Sequence, residues 1–181
     1  VVEDGQLITK EAQASLPMIN GMLQSDTEQD VLKLVVVNRY FDAPPAIAFV
    51  KNFGLKHGAI ASSVAHDSHN IIAVGTNDED LLQSINSLIE CRGGVSLCNG
   101  DEQSVLPLPV AGIMTNEDGY QTADKYEALD LRAKALGATL YSPYMTLSFC
   151  ALLVIPELKL SDKGLFDGRT FQFTSVLLNE K

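Results

Sequence analysis

The chain has 181 residues, 46% of them hydrophobic and 20% charged, and 23 acidic against 13 basic residues give a formal net charge of −10. A chain of this size buries roughly 70% of the surface its unfolded form exposes, so one globular domain with room for a small appendage is expected. The negative field repels phosphate backbones and anionic lipid, which excludes nucleic acid and membrane surfaces as partners. The longest apolar run, residues 147–155, is too short to cross a bilayer and contains Ser148.

Residues 8–16 alternate, with Ile8, Ala12, Ala14 and Leu16 on one side and Thr9, Glu11, Gln13 and Ser15 on the other. That period predicts a half-buried strand ended by Pro17. Asn20-Gly21 is a strong hairpin signal with Met22-Leu23 beginning the return strand. Residues 1–30 are therefore expected to form a strand or hairpin extension to a main body at 31–181. Residues 32–37 are apolar except for Lys33, which predicts a buried strand. Residues 46–50 follow the Pro44-Pro45 break as a weaker one.

Residues 58–64 and 71–74 predict two further strands, joined by Ala65-His66-Asp67-Ser68-His69-Asn70. That link is too short for a crossover helix, so the pair is expected to be antiparallel. A helix is expected over residues 78–91. Asn77 or Asp78 caps it, Glu79 and Asp80 complement its dipole, and Leu81, Leu82, Ile85, Leu88 and Ile89 recur at helical spacing before Gly93-Gly94. Residues 95–97 and 104–106 flank the hairpin signal Asn99-Gly100-Asp101. A second helix is expected over residues 118–136, with Tyr120, Ala123, Tyr126, Leu129, Ala133 and Leu136 as its stripe and Gly137 as its stop. The remainder holds an apolar run, Pro156 and a strand-like end at 171–178. Hairpins with two main helices predict an α+β fold built on a largely antiparallel sheet.

The histidines are His57, His66 and His69. His66, Asp67 and His69 fall within four residues and supply imidazole and carboxylate groups that can bind a divalent ion or move protons, with the Asn70 amide beside them. The same side chains can instead satisfy the loop's own backbone. No His-x-Glu precedes a Pro-Cys-x-x-Cys, and there is no His-x-His, glycine-rich phosphate loop or nucleophile elbow. Cys91, Cys98 and Cys150 are odd in number and lack metal spacing. They are expected to be buried thiols in a reducing compartment, the cytoplasm. The start, Val1-Val2-Glu3-Asp4-Gly5, has no initiator Met and no signal-peptide pattern, so the chain is expected to be part of a longer one.

Several long motifs go further. They are Gly54-Leu55-Lys56-His57-Gly58-Ala59-Ile60-Ala61-Ser62-Ser63-Val64-Ala65-His66-Asp67-Ser68-His69-Asn70-Ile71-Ile72, Val74-Gly75-Thr76-Asn77-Asp78, Leu106-Pro107-Leu108-Pro109-Val110-Ala111-Gly112, Pro143-Tyr144-Met145-Thr146-Leu147-Ser148-Phe149 and Val154-Ile155-Pro156-Glu157-Leu158-Lys159-Leu160. With Gln6-Leu7-Ile8-Thr9-Lys10 and Asp30-Val31-Leu32-Lys33-Leu34 they closely resemble, over nearly the whole chain, the C-terminal domain of adenine deaminases, which are metal-dependent amidohydrolases. The resemblance implies a parent that converts adenine and water to hypoxanthine and ammonia in purine salvage. It also implies a barrel domain holding divalent metal, whether manganese, iron or zinc. The barrel's ligands have no matching positions here, so this chain alone is expected to be inactive. The expected partners are the barrel domain, adenine in the parent, and further copies of the chain. His66, Asp67, His69 and Asn70 are expected either to face the barrel's active site as substrate or metal contacts, or to fold in on themselves in a packing domain. A free-standing ligand or metal-binding domain ranks last.

Overall fold

A computed structural model describes residues 1–178. After a short hairpin, β1 (Met18–Ile19) and β2 (Met22–Leu23), come the strands β3 (Val31–Val37), β4 (Ala46–Lys51), β5 (Ala59–Ser62) and β6 (Ile71–Gly75), then helix α1 (Asp78–Glu90). Next are β7 (Gly94–Asn99), β8 (Glu102–Pro107), α2 (Gly119–Ala135), α3 (Pro143–Phe149) and a small meander of β9 (Leu158–Ser161), β10 (Gly164–Asp167) and β11 (Gln172–Phe173). The main sheet has six strands in the order β4-β3-β6-β5-β7-β8, all neighbours antiparallel. The expected α+β fold on a largely antiparallel sheet is the fold observed.

Both faces of the sheet are covered at β3, and this is why its sequence reads as a continuous apolar run. Leu32, Leu34 and Val36 join the larger core with Leu129 and Ala133 of α2, Tyr144 and Leu147 of α3, and Leu160 of β9. Val35 faces the other way, where Leu81, Ile85 and Leu88 of α1 pack on Ala59, Ala61, Ile71 and Ala73. Lys33 lies on that second face too, buried, and its ammonium pairs with Asp78 at the start of α1. Asn77 is the cap of α1, its Oδ1 accepting from the Asp80 amide at 2.8 Å.

Four expectations are corrected. Residues 8–16 are not a strand: Thr9 alone bridges Val2, and Thr9 is the buried residue while Ile8, Ala12 and Ala14 are exposed. The backbone there bonds outward, with Thr9 N donating to Pro156 O and Glu157 N to Thr9 O at 3.0 Å each. In α1 the buried stripe is Leu81, Ile85 and Leu88, and Leu82 and Ile89 are exposed. In α2, Tyr120 is 87% exposed and Ala123 is exposed, because only the second half of the helix lies against the sheet. At the chain's end only Gln172 and Phe173 are strand, and residues 174–178 are exposed. Helix α3 was not anticipated, although Pro143 at its first turn suits a helix start.

Gly137 does close α2. Its φ of +109° lets its amide reach Lys134 O at 2.9 Å while Ala138 N reaches Ala133 O at 3.1 Å, the paired bonds that satisfy a helix's last carbonyls.

Candidate functional site

The loop of residues 63–70 leaves the two central strands, β5 and β6, at the sheet end where β3 finishes and β7 begins. Four segments converge on it. Ser63 ties the loop base to the turns beside it: its amide donates to Gly94 O, and its hydroxyl donates to Gly112 O at 2.5 Å and accepts from Gly94 N at 2.7 Å. The His66 amide donates to Ser148 O of α3 at 3.1 Å, and the His69 amide closes the loop on Ala65 O at 2.7 Å.

The loop brings two of the expected residues together and sends two elsewhere. The rings of His66 and His69 meet edge to face with centroids 5.7 Å apart, and His66 also lies against Phe149 at 4.8 Å with a 31° tilt. His69 has a φ of +53°, a left-handed conformation uncommon outside glycine. Its Nδ1 is buried without a hydrogen-bond partner among the described residues. Burial holds the His69 pKa below its ordinary value of 6.5, with His66 and Arg39 adding to the effect and Asp67 opposing it. Asp67 is exposed. Asn70 is buried and spent on structure, its Oδ1 accepting from the Arg39 amide at 3.1 Å and its Nδ2 donating to Ser68 Oγ at 3.2 Å. His57 lies apart from the loop and is exposed.

Two residues outside the motif hold the loop. Tyr40 donates its hydroxyl to Ser68 O at 2.9 Å. Arg39 donates from Nη2 to Ala111 O at 2.7 Å and lies 5.5 Å over the Tyr40 ring. Its Nη1 is buried in a notch that exists because residue 112 is glycine. A Cβ there would stand 1.8 Å from that nitrogen, and the backbone φ is +76°. The one signal available beforehand was Asn38-Arg39-Tyr40, a polar and aromatic run directly after a buried strand. Asn38 Oδ1 accepts from the amides of Tyr40 and Phe41 at 2.8 Å each, which turns the chain toward the loop.

Among the described residues no three His, Cys, Asp or Glu side chains gather in a way that could hold a metal ion. Imidazole is the side chain whose ordinary pKa lies nearest neutral pH, and burial favours the neutral form of His69. The three cysteines are free thiols, Cys98 and Cys150 buried and Cys91 partly so. No helix in the described residues is long and apolar enough to cross a membrane.

The family model for the adenine deaminase C-terminal domain matches residues 6–172. An adenine deaminase of Parabacteroides distasonis is 53% identical over 178 residues, covering 98% of this chain and 33% of the relative. One of Methanosarcina barkeri is 53% identical over 180 residues, covering 99% of this chain and 33% of its own length. One of a Sulfurovum species is 57% identical over 152 residues, covering 83% and 28% respectively. This chain therefore spans about a third of the length of these curated relatives. With a match across nearly every element of the fold, the chain belongs to the adenine deaminase C-terminal domain family.

Proposed function

We propose that this chain serves as the C-terminal part of an enzyme that converts adenine and water to hypoxanthine and ammonia in purine salvage. In this reading the loop at residues 65–70 meets the active site of a separate barrel domain. The observation that carries it is the braced imidazole pair. His66 and His69 sit at one end of the sheet, fixed by Ser148, Tyr40 and Asn70, and His69 keeps a buried, unpartnered Nδ1. A rigid scaffold is what a binding group needs.

Deamination requires a proton to reach the departing amine. A divalent metal in the barrel, whether manganese, iron or zinc, would supply the activated water when bound. The neutral imidazole of His69 can take up the proton that the attacking water loses and return it to the departing amine, and His66 can orient the ring edge of the base. Asp67, exposed beside them, can bond the amino group. The reducing setting suited to three free thiols supports a cytoplasmic protein.

The second reading makes the domain a packing or oligomer-forming unit, favoured by the way Asn70 and Ser68 satisfy one another inside the loop. The test separates them. In a full-length parent, His66→Ala and His69→Ala should each lower adenine turnover tenfold or more, at least about 1.4 kcal/mol of transition-state stabilisation. Melting temperature should hardly move. Activity and melting temperature falling together would favour the packing reading, and normal activity would remove the loop from the chemistry. The 181-residue chain alone should release no ammonia from adenine with added metal.

A further inference from the structure

The second half of α2 packs on the sheet through Leu129 and Ala133, but its first half stands away. The wedge beneath encloses about 440 Å³, inside the range of small-molecule sites. Its α2 wall is made of small side chains on one helical face, Gly119, Thr122 and Ala123, and this is why the space stays open. Tyr126, further along the same face of α2, and Tyr144 of α3 add aromatic lining, ring centroids 5.9 Å apart and planes 52° from one another. Leu106 and Leu108 form an apolar floor. His66 and Met145 stand at the rim, so the cavity opens beside the loop already described.

We infer that this cavity binds the flat heteroaromatic ring of a purine base. Walls of phenol and imidazole rings favour a planar aromatic guest over an aliphatic one, since offset stacking and edge-to-face contacts add to plain burial. The few polar groups suit a base. Thr122 and Ser148 each donate their hydroxyl hydrogen to a backbone oxygen, Asp118 O and Met145 O at 2.9 Å, which leaves their oxygens as acceptors for an amino or ring N–H. Among the described residues Tyr144 but not Tyr126 donates its hydroxyl to the chain. Burial and Asp130 hold the Tyr126 phenol above its ordinary pKa of 10, so it stays a donor for a ring nitrogen. The choice of a purine over other flat rings rests on the proposed parent reaction; the cavity itself does not.

The 181-residue chain is titrated with adenine, hypoxanthine and, as a non-purine control, indole, by ligand-observed NMR and tyrosine fluorescence. The absence of Trp makes the tyrosines clean reporters for the purines in the unaltered chain, and the indole control and the Trp variants are read by NMR. Saturable binding of both purines, at least tenfold tighter than indole, is expected. Ala123→Trp should fill the wedge from an exposed helix position and weaken purine binding tenfold or more. Ala128→Trp, on the exposed side of the same helix, should leave it unchanged. Met145→Trp closes the rim and replaces Ala123→Trp should that variant melt early. No purine binding at millimolar concentration overturns the inference, as does indole binding equally well. Purine affinity indifferent to both wedge variants also overturns it, and leaves the cavity to a side chain of a partner domain. Failure of binding here with loss of turnover in His66→Ala parents would overturn the cavity and leave the loop reading standing. The reverse pattern would do the opposite.

Discussion

Arg39 joins three segments that are far apart in sequence. Its amide bonds Asn70, its guanidinium bonds Ala111, and its plane covers Tyr40. Asn70 and Tyr40 then hold Ser68, so the two imidazoles rest on a braced loop, in which Arg39 Nη1 and His69 Nδ1 are buried without a hydrogen-bond partner among the described residues. The unpartnered His69 nitrogen has a measurable consequence. Burial lowers its proton affinity in the folded chain relative to the unfolded one, for which 6.5 is the ordinary value. The unfolded state therefore binds the proton that the folded loop refuses. Stability should be full above about pH 6.5, and should decline as pH falls from there through the lowered folded value. Urea midpoints measured at pH 7.5 and 5.5 should differ less in His69→Gln than in the unaltered chain. Equal differences would show that His69 titrates as it does in water.

Among the elements, α1 ends in an informative way. Arg92 N bonds Ile89 O at 3.1 Å and Gly93 N bonds Leu88 O at 2.7 Å, the same paired closure that ends α2. Here, however, the left-handed residue is Arg92, at φ +62°, and the glycine pair comes one residue later. A side chain in that conformation costs about 1–2 kcal/mol, and glycine gives back about 0.5–1 kcal/mol in unfolded-state entropy. Arg92→Gly should thus stabilise the chain by about 0.5–1 kcal/mol, seen as a higher urea midpoint with an unchanged slope. A lower midpoint would mean that the Arg92 side chain makes a contact worth more than the strain.

The same contrast between local and distant causes decides what could be read in advance. Strands β3 to β6 announce themselves as apolar runs, and the hairpins at Asn20-Gly21 and Asn99-Gly100 as turn chemistry, because those signals are local. Residues 8–16 mislead because Thr9 answers to residues 156–158, nearly 150 positions away, and not to its own alternation. Helix α3 has seven residues, too few for a periodic stripe to stand out. The His66–His69 pair was legible as a motif, but its brace was not: Tyr40 and Ser68 lie 28 residues apart, and Arg39 and Asn70 31.

At the scale of the molecule, a net charge of −10 sits beside an apolar projection, the β1–β2 hairpin, where Met18, Ile19 and Met22 are all more than half exposed. Exposed apolar groups gathered at one tip are characteristic of surfaces that meet other protein. The isolated chain should self-associate, or bind a co-expressed barrel domain, by light scattering. Serine at Met18, Ile19 and Met22 together should reduce that association. A strict monomer that also ignores the barrel would refute the expectation. The placement of the loop matters in a further way. It springs from β5 and β6, each hydrogen-bonded to a strand on both sides, so its roots belong to the part of the sheet whose amides exchange with solvent only on global opening. The arm at residues 11–16, which makes no backbone–backbone bond among the described residues, should exchange through small local openings instead. Hydrogen–deuterium exchange should therefore report the loop's roots as the slowest amides in the chain and the arm as the fastest. The imidazole pair would then stand on roots that stay closed through every fluctuation short of complete unfolding.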